Sequence, residues 1–151
     1  MRAILQRVSY ASVTVDEKLI SSIKSGLLVF LGVHREDSVK DAEYIVNKLS
    51  GLRIMEDTDG KTNIAVNPEK EELLVVSQFT LYGDCRKGRR PSFSTSATSS
   101  LGQELYEQVV KRLKDNNFKV KTGIFGANME VDIKNTGPYT ILLDSKNMIA
   151  F

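Results

Sequence analysis

The sequence has very few of the residues that build cross-linked or metal-bound proteins. Its 151 residues include one cysteine, Cys85, and one histidine, His34. A single cysteine excludes a disulfide within the chain, and one cysteine with one histidine cannot supply the four ligands of a structural zinc site. We therefore expect no internal disulfide and no metal.

Long hydrophobic runs and nucleotide-binding motifs are also missing. The longest nearly apolar run covers residues 26–33, far short of the roughly 20 residues that span a bilayer. The N-terminus lacks a signal-peptide pattern, and neither G-x-G-x-x-G nor the P-loop pattern occurs. These absences predict a cytoplasmic protein without a membrane segment and without the usual nucleotide cofactor.

What is present predicts one ordinary globular domain. Hydrophobic residues make up 41% of the chain and charged residues 26%, which is typical of a protein with a single core. No linker, repeat or low-complexity tract divides the sequence, so we expect one domain over residues 1–151.

Hydrophobic alternation predicts a chain dominated by β-strands. Val13 and Val15 alternate with Ser12 and Thr14, the period of a half-buried strand. The strands predicted in this way cover residues 2–15, 19–23, 26–33, 52–55, 72–79, 118–125, 129–134 and 139–143. The residues between the last two strands, 135–138, are predicted to form a turn or loop.

Two segments have the periodicity of amphipathic helices. The first begins at a capping box of Ser38 and Asp41 and stops at Gly51, and the second begins at a cap of Ser100 with Gln103. Strands outnumber helices about four to one. The predicted fold is therefore α/β, a single domain of mixed or antiparallel β-sheets packed in layers with two amphipathic helices on one side.

A basic loop is the most distinctive feature of the charge distribution. The formal net charge is only +2, yet Arg86, Lys87, Arg89 and Arg90 fall within five positions. Such a cluster is able to meet phosphates, although a solvated charge run is about equally common.

The usual nucleophilic machinery is difficult to assemble from this sequence. His34, the one candidate base, follows a buried strand, which argues against a Ser-His-Asp or Cys-His site. The cations Arg86 and Lys87 beside Cys85 could favour a thiolate, although a bystander cysteine is the simpler interpretation. Hydroxyl and amide groups over residues 77–84, at the end of an apolar strand, are placed to face a pocket.

Two motifs carry a resemblance to a known family. Residues 77–82 read SQFTLY, and residues 135–140 read NTGPYT. Together they resemble the D-aminoacyl-tRNA deacylases, and the resemblance extends over nearly the whole chain through MRAILQRVSYASV, KGRRPSF and FGANM. One departure is visible, because the family usually has a small aliphatic residue where this chain has Tyr139.

The resemblance implies an enzyme that hydrolyses the ester bond of D-aminoacyl-tRNA, with the 3′ end of aminoacyl-tRNA as its partner and no further protein. It also implies a homodimer in which the loop at Gly137 and Pro138, with a cis proline peptide, reaches into the partner's pocket. Proline fixes φ and glycine permits close approach. Such a backbone element could reject L-amino acids by collision while accepting many side chains. Glycyl-tRNA, which lacks a β-carbon, is then expected to be a substrate.

The motif also suggests roles for individual residues. We expect the backbone N–H groups of Phe79 and Thr80 to stabilise the developing oxyanion, and Ser77 and Gln78 to hold the aminoacyl group and the ribose. The alternative, in which Thr80 is the nucleophile, lacks a general base. Phe125 is a candidate for cradling the terminal adenosine.

Met129 is the second candidate for cradling the terminal adenosine. The four cations of the basic loop are expected to contact phosphates. Both candidates for the adenosine could equally be core residues. Two rival functions remain at this stage: a non-enzymatic nucleic-acid-binding module, and a thiol-based enzyme centred on Cys85.

Overall fold

The computed structural model describes residues 1–147, which form eight strands and two α-helices. The strands are β1 (Arg2–Val15), β2 (Lys18–Ile23), β3 (Gly26–Gly32), β4 (Arg53–Glu56), β5 (Thr62–Ala65), β6 (Glu72–Ser77), β7 (Lys119–Thr122) and β8 (Glu130–Asp144). The helices are α1 (Val39–Gly51) and α2 (Ser99–Asp115), and a 3₁₀ helix (Phe79–Tyr82) follows β6. None of the helices in this part of the chain is long and apolar enough to cross a membrane.

Six strands form one mixed sheet around β1. The order is β2-β1-β3-β6-β7, and β8 also pairs with β1. Pairing is antiparallel between β1 and its three neighbours, but parallel from β3 to β6 and from β6 to β7. Parallel neighbours need a long crossover, and α1 and α2 lie in these two crossovers. The strands β4 and β5 form a separate antiparallel pair within the first.

The central strands are buried on both faces, as parallel strands covered on each side usually are. Leu27, Val29 and Leu31 point into the larger core, which also takes the apolar stripes of both helices. Leu28 points the other way, into a smaller core with Leu74. Both helices therefore cover the same face of the sheet, as the sequence predicted.

The start of α1 agrees with its predicted capping box, but the predicted start of α2 is wrong. The Ser38 N–H donates to Asp41 Oδ2 at 2.9 Å. In α2 the cap is Thr98, whose Oγ1 accepts from Leu101 N–H at 3.4 Å, and Ser100 lies inside the helix. Several hydroxyl residues stand in succession here, and the tertiary fold selects one by pairing Ala97 N–H with Val33 O at 2.9 Å.

Two predicted strands extend too far. The strand predicted over residues 72–79 ends at Ser77, where the 3₁₀ helix takes over, and β7 ends at Thr122 rather than at residue 125. Apolar residues continue past both ends, so the hydrophobic pattern does not reveal where the backbone leaves the sheet.

The turn predicted at residues 135–138 is a wide bulge inside one strand. Val8 pairs with Asn135 and Gln6 pairs with Thr140, so two steps along β1 face five steps along β8. The extra residues, 136–139, form what we call the β8 bulge, and the Gly137-Pro138 peptide within it is cis. Both flanks pair with the same strand, which the local sequence could not indicate.

Candidate active site

A cavity of about 230 Å³ opens at the carboxyl ends of β3 and β6. In open α/β sheets, ligands commonly bind just outside this end of parallel strands. The cavity is lined by Leu31, Val33, Ser77, Gln78, Phe79, Ala97, Thr98, Ser99, Gly102, Tyr106, Phe125 and Gly126. The sequence motif at the end of β6 and the candidate Phe125 therefore meet in one place.

The chain turns sharply at residues 77–80, which we call the cavity edge. Gln78 N–H still pairs with Leu31 O at 2.8 Å, after which the backbone coils into the 3₁₀ helix. This turn packs directly on β3 at Gly32, where an added Cβ would lie 2.9 Å from Gln78 O and 3.1 Å from Leu81 Cβ. Glycine at this position lets the two backbones approach.

The turn leaves two backbone donors free at the cavity edge. Phe79 and Thr80 are the first residues of the 3₁₀ helix, whose initial N–H groups have no partner within the helix. No hydrogen bond among residues 1–147 uses either group. Phe79 lines the cavity, whereas Thr80 follows it and is not among the lining residues. The turn thus leaves one unpaired N–H at a residue that lines the cavity and a second at the next residue.

The polar side chains of the cavity edge bond to one another. Gln78 Nε2 donates to Thr80 Oγ1 at 2.5 Å, and Ser96 Oγ donates to Phe79 O at 3.1 Å. Within residues 1–147, no imidazole or carboxylate forms a hydrogen bond with the Thr80 hydroxyl. The geometry therefore supplies no base for a threonine nucleophile.

The two residues considered for acid-base or thiol chemistry lie in a different pocket. His34 is buried against Tyr82, with ring centroids 5.2 Å apart, and its Nδ1 accepts from Glu36 N–H at 3.2 Å. Cys85 is exposed and lines the same pocket as His34. Neither lines the cavity. Among the residues described, no three His, Cys, Asp or Glu side chains are grouped to hold a metal ion.

The two candidates for the adenosine are separated by the structure. Phe125 lines the cavity, with its ring centroid 5.8 Å from that of Tyr106. Met129 instead packs with Val13 and Val131 against the smaller core, on the other face of the sheet. Only Phe125 borders the cavity in this structure.

Tyr106 and the start of α2 are cavity residues that the sequence analysis missed. Tyr106 donates its hydroxyl to Val75 O at 2.7 Å, and burial raises the pKa of this phenol above its usual range. Its sequence signal is only that of a core position on an amphipathic helix. Nothing in the local pattern indicated that the N-terminal turn of α2 would face the end of β6.

The basic loop is a closed turn whose four cations are not equivalent. Asp84 and Ser92 pair through reciprocal backbone hydrogen bonds of 2.8 and 2.9 Å, which close the loop. Arg86 is held in a two-point pair with Asp84, at 2.9 and 2.7 Å. The Arg86 side chain holds the pKa of the Asp84 carboxyl well below its usual range.

The other three basic-loop residues are exposed, and none forms an ion pair within residues 1–147. They are Lys87, Arg89 and Arg90. The cluster seen in the sequence therefore provides three uncompensated charges rather than four.

The β8 bulge is exposed at its tip and held firmly from beneath by Arg7. The buried guanidinium of Arg7 donates from Nε to Thr136 O at 3.2 Å and from Nη1 to Ile54 O at 3.4 Å. It also pairs with Glu56 at 2.8 Å and lies over the Tyr139 ring, 4.6 Å from its centroid. Tyr139, the departure from the family pattern, thus packs against this arginine.

Gly137 has a backbone conformation that other residues adopt only with strain. Its φ is +131°, and an added Cβ would lie 3.1 Å from Tyr139 N and 3.2 Å from Arg7 Nη2. Asn135 completes the frame by accepting from Tyr139 N–H at 2.7 Å. The tip formed by Gly137 and Pro138 remains exposed.

The β8 bulge does not meet the cavity of its own chain. Ser77 pairs with Leu31 of β3, and Leu31 pairs with Ala3 of β1. The bulge lies opposite Arg7, which is four residues further along β1. Four residues of strand and the three strand spacings from β6 to β8 correspond to a separation of about 20 Å. One chain therefore does not bring the two motifs together.

Known proteins with the same sequence pattern are numerous. The family model described as D-Tyr-tRNA(Tyr) deacylase matches residues 4–144. A D-aminoacyl-tRNA deacylase of Thermotoga petrophila is 54% identical over 148 residues, which are 98% of this chain and 99% of that protein. Another, of Clostridioides difficile, is 54% identical over 145 residues, covering 96% of this chain and 97% of its own.

Solved structures agree on the architecture. The c-Myc DNA unwinding element binding protein superposes with a TM-score of 0.89 at 39% identity, covering 95% of this chain and 98% of that one. A probable eukaryotic D-amino acid tRNA deacylase superposes with a TM-score of 0.81, covering 94% and 97%. At 16% identity, the second likeness supports the fold alone.

Proposed function

The chain belongs to the D-Tyr-tRNA(Tyr) deacylase family, and we propose on this basis that it hydrolyses the ester bond of D-aminoacyl-tRNA, releasing the amino acid and the tRNA. The observation that carries the proposal is the cavity edge, where Phe79 lines a 230 Å³ cavity and the N–H groups of Phe79 and Thr80 have no partner among residues 1–147. An enzyme of this kind acts in the cytoplasm, where aminoacyl-tRNA is made and used.

The N–H groups of Phe79 and Thr80 stabilise the oxyanion that forms when water attacks the ester carbonyl. Donors fixed before the reaction cost no reorganisation, and one such donor is typically worth about 2.7–4 kcal/mol. Ser77 and Gln78, which also line the cavity, hold the aminoacyl group and the ribose. The site thereby places the carbonyl oxygen without gripping the amino acid side chain.

A general base from the protein is not required by this scheme. An aminoacyl ester is already activated, and the neighbouring ribose hydroxyl of the substrate assists the attacking water. The Thr80 hydroxyl accepts from the Gln78 amide, which fits a positioning role rather than a nucleophilic one, because a nucleophilic hydroxyl needs a base to take its proton.

Chiral selection comes from the β8 bulge of a second copy of the chain. The exposed tip at Gly137 and Pro138 lies about 20 Å from the cavity of its own chain, so a homodimer is the arrangement that delivers it. A rigid backbone beside the α-carbon collides with an L side chain whatever its chemistry. It therefore rejects L-amino acids and accepts D-amino acids whatever their side chain.

Glycyl-tRNA follows as a further substrate. Glycine has no β-carbon, so a collision at that position does not exclude it. Mischarged glycyl-tRNA is then cleaved by the same cavity edge as the D-aminoacyl esters.

The RNA end of the substrate is held by Phe125 and by the exposed cations of the basic loop. Aromatic faces commonly hold unpaired bases, and Phe125 borders the cavity. Replacing Arg89 and Arg90 with glutamine reduces the salt dependence of binding, because a protein that neutralises fewer phosphates releases fewer counterions when it binds. Replacing Arg86 alone has less effect, since Asp84 already neutralises it.

The proposal is tested by incubating D-tyrosyl-, L-tyrosyl- and glycyl-tRNA with the protein in the presence of a chelator. We expect loss of the D-tyrosyl and glycyl esters and survival of the L-tyrosyl ester. Intact glycyl-tRNA at protein concentrations that clear D-tyrosyl-tRNA would refute the steric account of selection. Equal cleavage of D- and L-tyrosyl-tRNA would refute chiral selection itself.

Thr80→Ala separates the two catalytic schemes. The backbone scheme predicts retained deacylation, since alanine keeps the N–H group at this position. A loss of many thousandfold in a folded variant would instead assign the nucleophile to the Thr80 hydroxyl. Circular dichroism and thermal melting confirm the fold of the variant before the rates are compared.

A second candidate is nucleic-acid binding without turnover, which the name of one similar structure favours. That protein, 39% identical to this chain, is called a DNA unwinding element binding protein. The same assay distinguishes the two functions, because a binding module retains the charged tRNA and leaves every ester intact.

A further inference from the structure

Two large aromatic side chains are exposed side by side at the rim of the cavity. Phe79 is 58% exposed and Phe93 is 37% exposed, and their ring centroids lie 5.1 Å apart in an edge-to-face arrangement. Apolar rings grouped at the surface commonly mark a binding site. The Phe79 ring borders the cavity, whereas Phe93 follows the basic loop by three residues.

Hydrogen bonds and a close packing contact hold the pair together. Ser96 links the two residues, because its N–H donates to Phe93 O at 3.0 Å and its Oγ donates to Phe79 O at 3.1 Å. The Phe93 ring also lies against Gly83, where an added Cβ would be 3.0 Å from Phe93 Cε1. These contacts hold the backbones of Phe79 and Phe93 close together, so that their rings meet.

The surroundings of the pair indicate its ligand. Phe79 lines the cavity proposed to take the aminoacyl ester. Phe93 directly follows Ser92, whose backbone pair with Asp84 closes the loop that carries the exposed cations Lys87, Arg89 and Arg90. A strand of RNA that leaves the cavity toward these cations crosses the two rings. Unpaired bases stack on aromatic side chains whatever their sequence, while the backbone follows positive charge.

We propose that Phe93, together with the outer face of Phe79, is a stacking platform for the unpaired base that immediately precedes the terminal nucleotide of the tRNA. This proposal rests on the deacylase function proposed above and extends it beyond the terminal adenosine. It assigns binding energy to a base that does not take part in the chemistry. Stacking is tolerant of sequence, so the platform serves tRNAs of every identity.

Two substrates that differ in length test the platform. D-tyrosyl-tRNA carries the preceding base, whereas D-tyrosyl-adenosine carries only the terminal nucleoside. For Phe93→Ala we expect KM for D-tyrosyl-tRNA to rise by about tenfold or more, as removal of one stacked base implies, while kcat stays within about twofold. Cleavage of D-tyrosyl-adenosine should not change. Equal losses on both substrates would overturn the platform in favour of a structural role for Phe93.

Conservative variants separate stacking from packing. Phe93→Tyr and Phe93→Trp should keep KM close to the wild-type value, while Phe93→Leu, which is apolar but not aromatic, should behave like Phe93→Ala. Full activity of Phe93→Leu on D-tyrosyl-tRNA would contradict stacking. These variants also cover the case in which alanine disturbs the fold.

A binding measurement makes the test independent of turnover. An uncharged acceptor-stem RNA with 2-aminopurine at the penultimate position should lose fluorescence on binding to the wild-type protein and lose much less with Phe93→Leu. Binding without quenching would overturn the platform. Failure of the wild-type protein to cleave either D-tyrosyl ester would refute the deacylase function instead, so the two failures are distinguishable.

Discussion

The cavity edge and the β8 bulge both expose main-chain groups. They differ in whether side chains of the protein form hydrogen bonds with the backbone there. At the cavity edge, the N–H groups of Phe79 and Thr80 are left free. At the bulge, Arg7 and Asn135 occupy backbone groups and hold the exposed tip from beneath. The first region is built to offer hydrogen-bond donors, and the second to occupy a fixed space. The proposed recognition by main chain in both regions would suit a substrate whose side chain varies.

The largest effect is expected from removing one backbone donor at the cavity edge. Phe79→Pro lacks the N–H group, and proline is well tolerated as the first residue of a helix. Gln78, with φ −146° and ψ 83°, lies outside the α-helical region that a following proline disfavours. In single-turnover assays with D-tyrosyl-tRNA, we expect the rate constant of Phe79→Pro to be about 10²–10³-fold lower than that of Phe79→Ala. Equal rates for the two variants would remove Phe79 from the oxyanion site.

The corresponding change at the β8 bulge alters selection rather than rate. Gly137→Ala places a Cβ 3.1 Å from Tyr139 N and 3.2 Å from Arg7 Nη2 at a φ of +131°, so the tip must shift. Because a displacement of about 1 Å changes activity by about a hundredfold and these contacts require a smaller shift, we expect the ratio of D- to L-tyrosyl-tRNA cleavage to fall by about tenfold to a hundredfold. Cleavage of the D-ester should remain close to normal.

Gly60→Ala is the matched control for this glycine. Its φ is +74°, and nothing lies within 4 Å of the added Cβ, so it carries the cost of a left-handed backbone without the clash. An equal drop in selectivity for both variants would mean that general destabilisation, rather than the bulge, governs the ratio.

A smaller effect is expected from the arginine beneath the bulge. Arg7→Lys keeps the charge but loses the planar fork that reaches Thr136 O, Ile54 O and Glu56 together. We expect the D- to L-ratio to fall about tenfold, the equivalent of one charge-assisted hydrogen bond. Arg53→Lys, on an exposed arginine of β4, should leave the ratio unchanged. Normal selectivity in Arg7→Lys would show that the bulge holds its shape without this support.

The smallest effect on activity is expected outside both regions, at Asp41. Burial alone would raise the pKa of Asp41, but hydrogen bonds from Ser145 and Ser38 outweigh it and lower the pKa to about 2. The folded-state pKa lies below the ordinary value of about 3.9, so this carboxylate stabilises the protein above about pH 4. That stabilisation is lost as the pH falls toward about 2.

Asp41→Asn should therefore lower the free energy of unfolding at pH 7 by up to about 2 kcal/mol. The difference from wild type should shrink as the pH approaches about 2, and kcat at pH 7 should not change. Urea unfolding across this pH range measures the effect. A difference that stays constant with pH would contradict the linkage.

Sequence reasoning succeeded where a pattern has a direct physical cause. Alternation of apolar residues predicted the strands, and four-residue steps predicted helices with one buried face. It failed where the backbone changes course under tertiary contacts. Ser77 ends β6 because the chain turns across Gly32, and residues 136–139 form a bulge because both flanks pair with β1.

The residues of the candidate site show the same contrast between what a sequence pattern predicts and what tertiary contacts decide. The motif residues Ser77, Gln78 and Phe79 were named from the sequence and line one cavity with Phe125. Met129 was named for the same reason as Phe125 but packs against the smaller core. Two apolar residues four apart in a segment of unknown backbone do not reveal which face of a sheet each will occupy.

The sequence by itself determined both helices and most of the strands, the single domain, the basic loop and the family, because these depend on composition, periodicity and motif order. It did not predict β5 (Thr62–Ala65). Only the tertiary structure decided which backbone donors remain free, which cation is neutralised by Asp84, and that Phe79 and Phe93 share a surface. These properties arise from contacts between residues distant in the chain. Packing decides which of these residues come into contact, and the order of residues along the chain does not specify that packing.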